Sequence, residues 1–221
     1  MTAMRVLIGC EESGAVRRAF AALGHDAWSC DLQPAADGSN RHIIGDVRDV
    51  MLWGWDLLAV FHPPCTRLCN SGVRWLTTPP PGKTAEQMQA ELVEGADLFS
   101  AVWNAPIERV AVENPVMHKH AKALIHNYQP PAQTVQPWWF GDPAFKATGL
   151  YLRGLPPLQP TNRLTPPRQS DDPQTHAAWS QIHRASPGKD RAKLRSRTFP
   201  GIAAAMALQW GGAAEQQRMM K

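Results

Sequence analysis

Along residues 4 to about 125, short apolar runs alternate with stretches whose apolar positions recur at helical spacing. That alternation predicts strands and helices in turn, and so a mostly parallel sheet covered by helices. Residues 4–9 read as the first strand, and 14–23 as a helix with Val16, Phe20 and Leu23 on one face. Residues 27–30 form a second strand closed by Asp31, and 43–44 a short third closed by Gly45-Asp46. Residues 56–61 and 109–112 follow as the fourth and fifth. Between these two, residues 85–103 place Met88, Leu92, Leu98, Phe99 and Val102 on one stripe and Glu86, Glu91 and Glu94 outside it, which predicts an amphipathic helix. Residues 117–125 read as one more helix.

The character then changes. Residues 133–140 and 148–153 read as two strands joined through Gly141-Asp142-Pro143, an antiparallel hairpin at the sheet edge. Residues 155–197 are Pro-rich, polar and basic without a sustained period, and read as a loop or partly ordered arm. Residues 200–210 close the pattern as an apolar helix, with Ile202, Met206 and Trp210 on one stripe.

At 221 residues with 43% hydrophobic content, one domain with a sizeable core is expected. No apolar run approaches the ~20 residues that cross a bilayer. No signal-peptide pattern precedes the first strand, and cysteines number only 4, so reduced thiols and a cytoplasmic setting, bacterial or phage-infected, are expected. A net charge of +4 is a weak pointer to a polyanion. Its placement says more. Arg184, Lys189, Arg191, Lys193, Arg195 and Arg197 crowd one segment against Asp190 alone, which suits either a solvated loop or a phosphate-contacting surface.

The chemistry gathers at predicted strand ends. The fourth strand runs into His62-Pro63-Pro64-Cys65, which carries a thiol to the mouth of the sheet, and the fifth delivers Glu113 and Asn114 to the same rim. A nucleophile and an acid on adjacent strand ends suggest covalent catalysis. A buried, inert Cys65 is the plain alternative, yet Arg67 close by favours thiolate. His62, Cys65 and Cys69 match no common zinc spacing, so no metal is expected. The first strand ends in the turn Gly9-Cys10-Glu11-Glu12-Ser13-Gly14, whose two acids argue against a pyrophosphate and suit ammonium, sulfonium or hydroxyl groups better. Asp31 stands where a carboxylate holds ribose hydroxyls, and Asp46 within reach of an adenine amine. Three such groups on three successive strand ends favour an adenosine cofactor without a pyrophosphate.

This order of glycine turn, strand-end acid, Gly-Asp, Pro-Cys and Glu-Asn resembles the DNA cytosine-5 methyltransferases, and small phage-type members in particular. The resemblance covers most of residues 4–153 and returns at the C-terminus. It implies a Rossmann-like α/β methyltransferase fold and S-adenosylmethionine as cofactor. Gly9, Cys10, Glu11, Glu12, Ser13, Gly14, Asp31, Leu32, Asp46, Val47, Pro63 and Thr198 would line the cofactor site. Cys65 would be the nucleophile, with Glu113, Asn114 and Lys146 completing the catalytic set. Lys146 keeps the basic residue of a family motif whose glutamine and second arginine are missing here. The family's target-recognition domain is missing too. Residues 1–154 plus 198–212 would form the catalytic domain, and 155–197 a basic arm in its place.

The implied reaction is methyl transfer to C5 of cytosine through a Cys65–C6 adduct, with Glu113 bonded to the base. The partner would be DNA, either single-stranded or duplex with a flipped base, contacted by Arg67, Arg74, Lys146, Arg191, Lys193 and Arg195. The short arm leaves room for RNA or a nucleotide as substrate. A catalytically silent cofactor-binding protein is the alternative of a different class.

Overall fold

The predicted strands assemble into one seven-stranded sheet. In chain order they are β1 (Arg5–Gly9), β2 (Asp26–Asp31), β3 (His42–Ile44), β4 (Leu57–Val60), β5 (Arg109–Asn114), β6 (Gln133–Val135) and β7 (Thr148–Arg153). The computed structural model describes residues 3–60, 63, 67–114, 116–184 and 198–212. Laterally the order is β3-β2-β1-β4-β5-β7-β6. β1 to β5 run parallel, and β7 lies antiparallel to both β5 and β6. This is the expected Rossmann-like α/β arrangement with its antiparallel edge hairpin. The chain reverses its lateral direction between β1 and β4, the switch point where such sheets open a crevice at their carboxyl ends.

Alternation along each strand sorts the core into two layers. Leu7, Leu58, Val60, Val110 and Val112 pack on one face with Leu92, Ala96 and Phe99 of a long helix. Val6, Ile8, Leu57, Ala59 and Ala111 pack on the other with Val16, Phe20, Met206 and Trp210. Both faces of the parallel strands are therefore dry, which is why these strands read as continuous apolar runs. The helices are α1 (Ala15–Ala22), α2 (Val47–Val50), α3 (Ala85–Trp103), α4 (Lys119–Leu124), α5 (Pro173–Trp179), α6 (Gln181–Arg184) and α7 (Pro200–Gly211). A reciprocal capping box, Thr84 with Gln87, starts α3.

Several expectations need correction. Leu23 does not join the core stripe of α1; it is the C-cap residue and is exposed. α2 is a single turn capped by Asp46, too short to leave a period in the sequence. β5 extends two residues past the expected end, so Glu113 and Asn114 are strand residues paired with Leu150 and Gly149. β6 ends at Val135, before Pro137 opens a 3-10 turn through Trp139. The arm is not all loop: Asp172 caps α5 through the N–H of Thr175, with Pro173 in the first turn, and α6 follows. Arg184 ends α6, while Lys189, Arg191, Lys193, Arg195 and Arg197 lie outside the described residues.

The hairpin turn is locked to the last helix. Asp142 Oδ2 accepts the N–H of Gly201 at 2.8 Å. A Cβ on Gly201 would stand 2.0 Å from the Phe140 carbonyl oxygen, a backbone atom that cannot yield cheaply. Gly201→Ala is expected to cost about 1–3 kcal/mol of stability, read as a lowered urea midpoint. An unchanged midpoint would mean that α7 can shift away from the hairpin without loss.

Candidate active site at the carboxyl rim of the sheet

At the first turn, Cys10 adopts a left-handed φ of 54° directly after β1. That twist turns the next residue inward. Glu11 is buried, and its carboxylate accepts the N–H groups of Val16 at 2.7 Å and Arg17 at 3.2 Å. It caps α1, whose own N-cap residue Gly14 has no side chain to do so. Burial raises the Glu11 pKa, opposed by those two backbone bonds and by Arg17. Glu11, expected to face a ligand, is turned to the helix instead. Gly9 is likewise a packing glycine, since a Cβ there would meet Val47 Cγ2 at 2.7 Å. Glu12 and Ser13 stay in the turn, and the Glu12 carbonyl accepts the N–H of Ala36 at 2.9 Å.

Asp31 and Asp46 stand at the ends of the adjacent strands β2 and β3. Cys10 is pushed up to about 12, first by burial and then by the charges of Asp31, Cys30 and Asp46, with Arg48 opposing. One thiol therefore feels the ends of β1, β2 and β3 together. Asp31 accepts the N–H of Gln33 at 2.9 Å. Asp46 is paired with Arg48, whose hydrogen bonds lower its pKa. Beside these acids, Leu32 is 70% and Ile44 64% exposed. Apolar surface flanked by carboxylates fits an adenosine with its ribose hydroxyls, and the acids disfavour a pyrophosphate. Thr198 is buried ahead of α7, and Pro63 is buried beyond β4.

A relay running from a buried arginine out to the surface shapes this half of the sheet, and it was not foreseen. Arg17 Nε donates to Ser29 Oγ at 3.1 Å, Ser29 Oγ meets His42 Nδ1 at 2.8 Å, and His42 Nε2 meets the Gln33 carbonyl at 2.9 Å. Arg17 and Arg18 both pair with Asp37. The turn after Asp31 is thereby tied to α1 through β2 and β3. A buried-face serine in a strand was the available sequence signal.

On the other half of the rim, Glu113 is 4% exposed and Asn114 fully buried. Both polar atoms of the Asn114 amide lack a hydrogen-bond partner. Buried orphan atoms cost about 1–3 kcal/mol, which marks Asn114 as a group awaiting a partner. Gly149 lets β7 come this close, because a Cβ there would meet the Asn114 carbonyl oxygen at 2.7 Å. Lys146 stands just before β7 on the same rim, its N–H donating to Gln136 Oε1 at 3.2 Å.

Cys65 and Pro64 lie outside the described residues, but the chain around them is placed. β4 enters the segment with Val60 in register with Gly9 and Val112. The exit, residues 67–70, pairs with residues 116–118: Asn70 N–H donates to the Val116 carbonyl and His118 N–H to the Leu68 carbonyl, at 3.1 and 3.0 Å. The chain at 67–70 and the chain just past the Glu113-Asn114 strand end are thus neighbours. Arg67 is turned away from any phosphate role, its Nε donating to Glu91 Oε2 at 2.6 Å. Arg74 is exposed, with its guanidinium 4.2 Å from the centre of the Trp75 ring. The other described thiols are unsuited to nucleophilic work: burial leads in raising Cys10 and also Cys30, the latter to about 11, and Cys69 is buried. No cluster of potential metal ligands occurs among the described residues.

Strand order defines a Rossmann-like α/β fold whose carboxyl rim carries these groups. No family model matches the sequence, and no curated protein does. Among solved structures it is similar to an E. coli prophage-encoded protein described as a candidate DNA modification methyltransferase, at a TM-score of 0.45 and 14% identity. The match covers 68% of this chain and 46% of that one, so the chain spans about half the length of this neighbour. No helix among the described residues is long and apolar enough to cross a membrane.

Proposed function

We propose that the protein transfers a methyl group from S-adenosylmethionine to C5 of cytosine in DNA, through a covalent bond between Cys65 and C6. The observation that supports this most is the joining of two rim loops. Residues 67–70, which follow Cys65 in the chain, pair with 116–118, which follow the buried Glu113 and Asn114. S-Adenosylmethionine, when bound, supplies an electrophilic methyl group. Asp31 would hold its ribose, Leu32 its adenine face, and Asp46 the adenine edge. Asp31→Ala is expected to raise the dissociation constant for S-adenosylmethionine about tenfold or more by calorimetry. Unchanged affinity would remove Asp31 from the site.

C5 of cytosine is a poor nucleophile on its own. Addition of the Cys65 thiolate to C6 moves electron density onto C5 and readies it for the methyl group. Glu113, hydrogen-bonded at N3, stabilises the charge that develops on the ring. The unpaired amide of Asn114 would orient Glu113 or the Cys65 loop. A water or hydroxide base then takes the C5 proton, the C6–S bond breaks, and the thiolate leaves with the C5–C6 double bond restored.

A duplex substrate must present a flipped base, because C6 is shielded within the stack. Arg74, Lys146 and the arm residues Arg191, Lys193 and Arg195 would contact phosphates. In this reading residues 1–154 and 198–212 are the catalytic unit, and 155–197 the nucleic-acid arm. Methyl transfer assayed over duplex DNA, single-stranded DNA, RNA and mononucleotides tests the substrate. Preference for DNA is expected, and activity confined to RNA or nucleotides would overturn that part.

A further inference from the structure

We propose that His118 is a positioning residue that clasps the Cys65 loop, an inference that rests on Cys65 as nucleophile. His118 is buried at the start of α4. Its Nδ1 accepts the N–H of Ala121 at 3.1 Å, so the ring proton lies on Nε2. Nε2–H donates to the Arg67 carbonyl at 2.6 Å, two residues past Cys65. The backbone N–H of His118 holds the Leu68 carbonyl at 3.0 Å. Cys69 and Met117 bridge between them, and the Arg67 guanidinium is held by Glu91 of α3. One imidazole therefore caps a helix with one nitrogen and fastens the exit of the nucleophile loop with the other. The loop's entry is fixed by β4, so the clasp supplies the second anchor. It also ties the chain at 67–69 to the stretch that follows Glu113 and Asn114.

Two substitutions separate the clasp from the cap. Asparagine can still accept the Ala121 N–H but is too short for the Arg67 carbonyl, while the glutamine amide reaches it. His118→Asn is expected to lower kcat for methyl transfer about tenfold with an unchanged KM for S-adenosylmethionine. It should also speed alkylation of Cys65 by iodoacetamide about fivefold, followed by peptide mass spectrometry. His118→Gln should restore most of both. Glu91→Gln, which frees the other end of Arg67, should speed Cys65 alkylation in the same direction. Wild-type alkylation of Cys65 in His118→Asn, or no rescue by glutamine, overturns the clasp. Should the native protein transfer no methyl group, the nucleophile reading fails, and the alkylation rates still decide whether His118 holds the loop.

Discussion

Cys65→Ser is expected to lower methyl transfer about 10³-fold or more, while S-adenosylmethionine affinity and the thermal midpoint stay at native values. A serine hydroxyl remains protonated at neutral pH and adds far more slowly to C6 than a thiolate does. The other described thiols offer no substitute: burial raises Cys10 and Cys30, and Cys69 is closed off in the bridge to Met117. Steady-state kinetics with labelled cofactor check this, beside calorimetry for binding. Retained activity would sink the covalent route while leaving the fold assignment intact. A loss of cofactor affinity equal to the loss of rate would instead make Cys65 part of the binding pocket.

Glu113→Gln is the second large effect, expected to lower kcat about 10²–10³-fold with little change in the KM for cofactor. The side chain is buried near the end of β5. The exchange keeps the shape and removes the acid, so packing changes little. What is lost is hydrogen bonding to the ring as charge develops, an interaction stronger in the transition state than in the ground state. Loss confined to the KM for DNA would assign Glu113 to substrate binding alone.

What the chain discloses before folding, and what it withholds, follows from how far each signal reaches. β1, β4 and β5 are buried on both faces, so each stands out as an unbroken apolar run, and the hairpin announces itself through Gly141-Asp142-Pro143. The acids Asp31, Asp46 and Glu113 stood out because each closes an apolar run, although Asp46 also caps α2 and Asp31 also takes the Gln33 N–H. Single-turn elements leave no period, which hid α2 and α6. Roles decided by tertiary contact were hidden as well. Glu11 looks like a ligand group until α1 folds back over it, and Gly9 looks like a cofactor glycine until Val47 fills the space. Arg67 reads as a phosphate contact until Glu91, distant in sequence, takes its guanidinium. His118 fell inside the helix expected over 117–125, so neither of its bonds was legible; the helix in fact starts one residue after His118, and the second bond needs the Arg67 carbonyl brought alongside. The short arm was legible as too small for a separate reading domain, while Asp172 and Pro173 carried the start of α5 within it.

The most direct test is transfer of labelled methyl from S-adenosylmethionine to duplex DNA, with the product digested to nucleosides and the label located. Label on C5 of cytosine with the native protein, absent with Cys65→Ser, is the predicted result. Label on an exocyclic amine, or no label despite measured cofactor binding, would contradict it.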